Sequence, residues 1–296
     1  MELKKYLEQK RKIIDEALNQ YLPPETEYPQ TIHEAMRYSV FAGGKRLRPI
    51  LVIAAAEVVG GRAESVLPTA CAIELIHTFS LIHDDLPAID NDDYRRGKLT
   101  CHKVFGEDMA ILAGDGLLTH AFQLLAQNSE IDTINKQAMP LVIKEVAAAI
   151  GTLGLIGGEV VDIQSEGKEI DLPRLEYIHS HKTGVLIAIS LKVGATLVDA
   201  EEEEIGALYQ YGKLIGLAFQ IVDDILNVEG DEVQLGKPVG SDLRQKKATY
   251  PALFGIEESR QKARRLIEEA KKEVEIFGEK GEILRLLADF IVERTF

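Results

Sequence analysis

Apolar positions recur along this chain with helical spacing, and no stretch sustains the two-residue alternation of a half-buried strand. Leu3 to Leu18 reads as a charged amphipathic helix. The connector Tyr21 to Pro29 (YLPPETEYP) ends it, because a helix interior does not tolerate proline. Thr31 to Phe41 is helical again, and AGGKRLRP breaks it. Pro49 suits the first position of the next helix, which runs through ILVIAAAEVV to Gly60-Gly61. Glu64 to His83 is long and mostly apolar, the pattern of a central buried element. Asp108 to Gln127 and Ile134 to Ile150 give two more helices. In the Gly-rich apolar run that follows (GTLGLIGGEVVDI), small residues allow neighbouring backbones to approach closely. Lys182 to Val198 is apolar. A helix beginning at Asp199 or Ala200 carries Glu201 to Glu204 in its first turn, where negative charge complements the helix dipole. Its stripe Ile205, Leu208, Tyr211, Ile215, Ala218, Ile225 keeps helical spacing. The tail from Glu257 to Phe296 is amphipathic, with a break at Gly278 to Gly281. These elements make one all-α domain over residues 1–296, with ten or more helices and the most apolar ones at the centre.

Composition narrows the partners. The 296 residues are 46% hydrophobic and 28% charged, ordinary for a globular protein. A net charge of −14 argues against non-specific binding of nucleic acid or of an anionic membrane surface. It leaves room for an anionic substrate, because local cations and bound metal can invert the sign at one site. Cys71 and Cys101 form no CxxC pattern, and so few cysteines fit a reducing, cytoplasmic setting. The N-terminal stretch MELKKYLEQKRKIIDEAL is charged throughout and does not read as a signal peptide. No uninterrupted apolar run reaches the ~20 residues that span a bilayer, so no membrane span is expected.

The candidate chemistry centres on His83 to Gly97, HDDLPAIDNDDYRRG. It places five aspartates (Asp84, Asp85, Asp90, Asp92, Asp93) in ten residues, where an apolar helix ends, and Arg95 and Arg96 follow. Carboxylates this close resist ionising together. Hard cations among them would relieve that, and Mg²⁺ is usually held by one or two carboxylates plus substrate phosphates. Arginine forks suit phosphate oxygens. Asp84 and Asp90 are six apart, about 240° around a continuous helix. A turn at Leu86-Pro87-Ala88 is therefore needed to bring Asp90 back toward Asp84. A second acidic pair lies in QIVDDILN. Asp223 and Asn227, four apart, share a helix face, and Asp224 points about 100° away. Two DD pairs that each end an apolar helical stretch could grip a metal–diphosphate cluster from opposite sides. Cations form separate patches: Lys45, Arg46 and Arg48 in GGKRLRP, Lys182 and Thr183 in HSHKTG, and Lys237, Lys246 and Lys247 further on. Lys182 and Thr183 are placed at the head of an apolar helix, where backbone N–H groups also favour anions. The histidines of His179-Ser180-His181 have no evident third metal ligand and are read as structural.

Taken in order, GGKRLRP, ELIHTFSLIHDDLPAIDNDDYRRG, HKVFGEDMAILAGDGLLTHAF, EYIHSHKTG, GLAFQIVDDILNVEGD and GKPVGSDLRQKKATYPAL resemble the short-chain trans-isoprenyl diphosphate synthases, a group within the polyprenyl synthetases, most nearly the bacterial farnesyl diphosphate synthases. The resemblance runs from about Met36 to Gly255. It implies a bundle of mostly antiparallel helices around a deep cavity, with the acidic motifs facing each other at its mouth. Asp84 and Asp90, with Asp85, would ligate two Mg²⁺, and Asp223 a third; Asp224 completes the second catalytic pair. Arg95, Lys182, Thr183, Gln220 and Lys237 would hold the diphosphate of an allylic substrate. Lys45, Arg48, His77 and Arg96 would hold that of isopentenyl diphosphate. The implied chemistry is ionisation of dimethylallyl or geranyl diphosphate, condensation with isopentenyl diphosphate and loss of a proton to the released diphosphate, in an enzyme that forms a homodimer. Phe79, five residues before Asp84, would close the cavity floor at a farnesyl product, whereas the small Ser80 would block nothing. Two positions depart from the family pattern: Asn227 stands where a last aspartate is usual, and Glu159 where a glutamine is usual. The alternatives are a geranylgeranyl diphosphate synthase, a terpene cyclase, which would lack the second diphosphate site, and a non-catalytic synthase subunit, which would have eroded acidic motifs.

Overall fold

In a computed structural model that describes residues 3–229 and 248–293, the chain folds into fourteen α-helices among the described residues. The first six are α1 (Leu3–Tyr21), α2 (Gln30–Val40), α3 (Leu47–Val58), α4 (Ala63–Asp84), α5 (Cys101–Phe105) and α6 (Glu107–Gln127). Next come α7 (Met139–Ile150), α8 (Leu155–Ser165), α9 (Leu172–Ile178), α10 (Val185–Leu197) and α11 (Glu202–Glu229). The last are α12 (Tyr250–Phe254), α13 (Ile256–Glu273) and α14 (Glu282–Glu293).

Helices α3, α4 and α10 are buried on nearly every side, as their unbroken apolar composition requires. They pack on one another at the centre; α6 packs on α4 and α11 on α10, and α13 packs outside on α11. Each fully buried Ile or Leu contributes about 1.5–3 kcal/mol, so this centre outweighs any single polar contact. Short connections between consecutive helices, such as α10 to α11, make neighbours antiparallel. The outer helix α1 buries a stripe, Tyr6, Lys10, Ile14 and Leu18, at helical spacing. Lys10 is tolerated in that stripe because it pairs with Glu57 of α3, which also accepts from the Tyr6 hydroxyl at 2.8 Å.

Several elements differ from the sequence reading. Helix α3 starts at Leu47, so Pro49 sits in its first turn and not at its head. Helix α7 starts at Met139 and not Ile134, because Asn135 caps a 3₁₀ turn (Lys136–Ala138) and Pro140 opens the helix proper. The Gly-rich run contains a helix, α8. A two-stranded antiparallel hairpin, β1 (Tyr94–Arg95) and β2 (Lys98–Leu99), was not expected at all. Its turn residues Arg96 (φ 53°) and Gly97 (φ 75°) both lie in the left-handed region that two-residue hairpin turns need.

Three segments, Ala63–Asp84, Glu107–Glu130 and Lys136–Ser165, are long and apolar enough to cross a membrane by length and composition, although none is an uninterrupted apolar run. Mean hydropathy tolerates the scattered polar residues that break such runs. The first segment is 83% buried and forms the core, whereas the other two keep apolar residues such as Leu112, Leu141, Leu153 and Val160 exposed.

Candidate active site

Helix α4 ends at Asp84, and the chain then folds back as Pro87 demands. The Asp90 N–H donates to the Asp84 carbonyl at 2.8 Å, and Asn91, at φ 52°, completes the turn by donating to Leu86 O at 3.0 Å. The fold-back expected between Asp84 and Asp90 is present, and both line a cavity of about 1010 Å³. Asp85 is directed elsewhere. It is 3% exposed and accepts from Arg95 Nε at 2.7 and 2.9 Å and from Arg95 Nη2 at 2.5 Å. The hairpin thus returns Arg95 beneath the acidic turn as a bidentate partner of one aspartate. Burial pushes the Asp85 carboxyl up although Arg95 opposes it.

The second acidic pair reaches the same cavity from α11. Asp223 and Asn227 share a face that lines it. Asp224, also at the wall, is committed to protein partners: it accepts from the Tyr250 N–H at 3.0 Å and lies 3.4 Å from His179 Nε2 and from Gln220 Nε2. Tyr250 stacks on His179 with ring centroids 5.5 Å apart, and its hydroxyl donates to Glu176 at 2.7 Å. Burial holds the His179 ring neutral, with its pKa lowered to about 3. His179 is structural, as expected, and its work is to join Asp224 to the segment beside it.

That segment corrects another expectation. Lys182 and Thr183 do not open a helix. Residues His179–Gly184 form a π-helical turn between α9 and α10, so no free row of N–H groups exists there. A π-turn inserts one residue into the helix and re-aims its side chains. Here it presents Lys182 and Thr183 to the cavity. Gly158 of α8 makes the close approach possible, since a Cβ there would overlap the Lys182 backbone. Lys182 pairs with Glu159 and Asp162 of α8, each at 2.7 Å, and Thr183 donates to Gln220 Oε1 at 2.9 Å. Burial pulls the Lys182 pKa down, but Asp162, Asp84, Glu159 and Asp90 outweigh it, so the ammonium stays charged. At Asp84 burial acts in the opposite sense. Burial first, then Glu159 and Asp90, raise it to about 7, against the pull of Lys182. Glu159, the residue standing for a usual glutamine, adds negative charge beside both, and burial raises its own pKa.

A second set of cations lines another part of the wall. Arg48 Nη1 lies 3.2 Å from His77 Nε2. Burial lowers the Arg48 pKa to about 10, and burial with the nearby arginines keeps His77 neutral. Arg96 donates to the Gly43 carbonyl and lies against Gly44, where a Cβ would stand 2.6 Å from its Nη1. Lys45 lies over the Phe290 ring of α14 at 5.7 Å.

The donor set fits magnesium. Asp84, Asp90 and Asp223 line one cavity, and the raised Asp84 marks a place where added positive charge is favourable. Among the described residues no three carboxylate, imidazole or thiol side chains enclose an ion by themselves.

The family model described as polyprenyl synthetase matches residues 29–286. The chain belongs to that family. As a polyprenyl synthetase it falls in a class of trans-prenyltransferases that depend in general on magnesium. It is 49% identical to a geranylgeranyl diphosphate synthase of Cyanophora paradoxa, over 98% of this chain and 96% of that one. It is 43% identical to a farnesyl diphosphate synthase of Geobacillus stearothermophilus, over 99% and 98%. Among solved structures, a geranylgeranyl pyrophosphate synthetase of Pyrococcus horikoshii superposes with a TM-score of 0.88 at 35% identity, over 99% and 98% of the two chains. The fold is the helical bundle around a deep cavity that the motifs implied.

The residues singled out from this polyprenyl synthetase's sequence fall into three groups. Most converge on the cavity wall, among them Lys45, Arg48, His77, Asp84, Asp90, Arg95, Arg96, Lys182, Gln220 and Asp223. Lys237, Lys246 and Lys247 lie outside the described residues. Asp85 and Phe79 are turned from this cavity. Phe79 is buried edge-on against His83, with centroids 5.3 Å apart, where His83 packs at Gly114 of α6. Ser80 lines the cavity in its place. The sequence reading passed over Glu74, Asp162 and Tyr250; a lone charge inside the apolar α4 was the signal for Glu74.

Proposed function

We propose that this polyprenyl synthetase condenses isopentenyl diphosphate with dimethylallyl or geranyl diphosphate and releases farnesyl diphosphate as its main product. The observation that carries the reading is the presence of two separate cationic sets on one cavity, Lys182 with Thr183–Gln220 and Arg48 with His77 and Arg96, with carboxylates of both acidic sites near the first set. One anion needs one such set, and two diphosphates need two. Asp84, Asp90 and Asp223 would hold three Mg²⁺, which supply positive charge to the departing diphosphate when bound. Asp85, Asp224 and Arg95 then act as braces for that arrangement. The charged Lys182 is aimed at the allylic diphosphate, and stabilisation of charge that develops as the C–O bond breaks lowers the barrier. Lys45, Arg48, His77 and Arg96 orient isopentenyl diphosphate so that its double bond supplies the electron pair of the new C–C bond. The proton then lost goes to the released diphosphate, so no protein base is required.

The farnesyl product rests on the motifs' likeness to the bacterial farnesyl diphosphate synthases and on Phe79, which lies behind the cavity wall on the seam between α4 and α6 and does not form the cavity floor that the resemblance implied. Geranylgeranyl diphosphate is the competing product, favoured by a relative named for its synthase at 49% identity against 43% for the farnesyl diphosphate synthase. Mass-spectrometric product analysis with Mg²⁺, isopentenyl diphosphate and each allylic starter separates the two: mainly fifteen-carbon product upholds the proposal, mainly twenty-carbon product replaces it. The exposed apolar residues of α6, α7 and α8 support a homodimer, since a second copy would cover them. A monomeric mass in solution would rule that out.

A further inference from the structure

We propose that Arg46 is the positioning residue of the isopentenyl diphosphate subsite; this rests on the function proposed above. The loop between α2 and α3 carries Lys45 and Arg48, and two glycines with positive φ, Gly43 (108°) and Gly44 (132°), precede them. Such a backbone is pliable, yet it must hold two cations at fixed places. Arg46 supplies the restraint. Its guanidinium is buried, only 4% of the residue being exposed, and it bonds in three directions to three other helices. Nε donates to Asp15 of α1 at 2.8 Å, Nη1 to Glu74 of α4 at 2.7 Å, and Nη2 to the Val40 carbonyl of α2 at 2.8 Å. A lysine, a single point donor, cannot span these three acceptors. The Arg46 backbone is itself left-handed, φ 55° and ψ 35°, a conformation unfavourable for a non-glycine residue that persists because its surroundings hold it. That kink turns the buried Arg46 guanidinium to Glu74 behind the cavity that Lys45, Arg46 and Arg48 all border.

Glu74 gives the arrangement a second role. It is 1% exposed and its charge also acts on Arg48 and Arg96. With Arg46 in place, Glu74 is neutralised from the core side. Without that partner, the buried carboxylate would draw Arg48 and Arg96 to itself, in competition with the substrate's diphosphate. Both effects weaken isopentenyl diphosphate binding and leave the set around Lys182 untouched.

The test is the pair of KM values, for isopentenyl diphosphate and for geranyl diphosphate, in the full-length enzyme and its variants. Arg46→Lys should raise KM for isopentenyl diphosphate by about tenfold or more, and Asp15→Asn, at the more exposed arm, by about threefold, with KM for geranyl diphosphate and kcat within about twofold. Tyr211→Phe removes a buried hydrogen bond to the Leu284 carbonyl and serves as a destabilised control in which neither KM should move. Equal rises in both KM values, or unchanged values in Arg46→Lys, would overturn the inference. Should Arg46→Lys fail to fold, an unchanged KM in Asp15→Asn would overturn it as well. A wild-type enzyme that condenses nothing would strike down the proposed function together with this inference, whereas an active wild type with unmoved variants strikes down this inference alone.

Discussion

At the scale of single residues, each charge takes its character from its neighbours: Asp84 is buried beside Glu159 and Asp90, whereas Asp85 is paired with Arg95. The runs HDDLPAID and QIVDDILN announced carboxylates on adjoining positions, and the fold brings Asp84, Asp90 and Asp223 to one cavity. The sequence could not show that Asp85 belongs to Arg95 or Asp224 to Tyr250, because those pairs depend on where the chain returns in space. Burial and like charge raise Asp84 to about 7, so the carboxylate is held there against its own solvation. Asp84→Ala or Asp223→Ala is therefore expected to cost orders of magnitude in turnover while the melting temperature without metal stays level or rises; calorimetry beside a turnover assay checks both. Asn227 stands one turn from Asp223 on the cavity wall. Asn227→Asp should keep or improve activity and lower the Mg²⁺ concentration needed for half-maximal rate. A collapse of activity would show that a carboxylate there is harmful. His179 makes a pH prediction. Its ring titrates near 6.5 when unfolded and near 3 when folded. The unfolded chain binds the extra proton in between, so this contribution to stability is full above about pH 6.5 and is lost as pH falls toward 3. The melting temperature of His179→Asn should fall less than that of the wild type between neutral pH and about pH 5. Parallel curves would remove His179 from the acid response.

At the scale of elements, the long helices were legible because burial of one face repeats every three or four residues over many turns. Helices α1, α4 and α11 fall close to where the apolar pattern put them. The two devices that aim the cations escaped that reading. A π-turn at His179–Gly184 and a two-residue hairpin at Tyr94–Leu99 are shorter than any periodicity, and tertiary contacts, such as Gly158 against Lys182, select them. Helix α4 carries the product-length question. Its face with Glu74, His77, Leu81 and Asp84 lines the cavity, and Phe79 lies on the seam with α6. Phe79→Ala should open that seam and shift products toward twenty carbons or longer, as read by mass spectrometry. Ser80→Ala removes only a hydroxyl that bonds to the His77 carbonyl, and should change little. An unchanged distribution in Phe79→Ala would place the stop at the cavity wall itself.

At the scale of the whole molecule, the bundle is a frame that sets two acidic helix segments and two cationic sets around one space. Their joint presence was legible from motif order, whereas the depth of the cavity and the exposed apolar faces of α6 to α8 emerged only from packing. The central claim is that both diphosphates act together in that space. Its most direct test is diphosphate release by the purified chain with isopentenyl diphosphate and geranyl diphosphate together, with each alone, and with both after removal of Mg²⁺. The account predicts rapid release only when both substrates and Mg²⁺ are present. Comparable release from geranyl diphosphate alone, or none under any of these conditions, would contradict it.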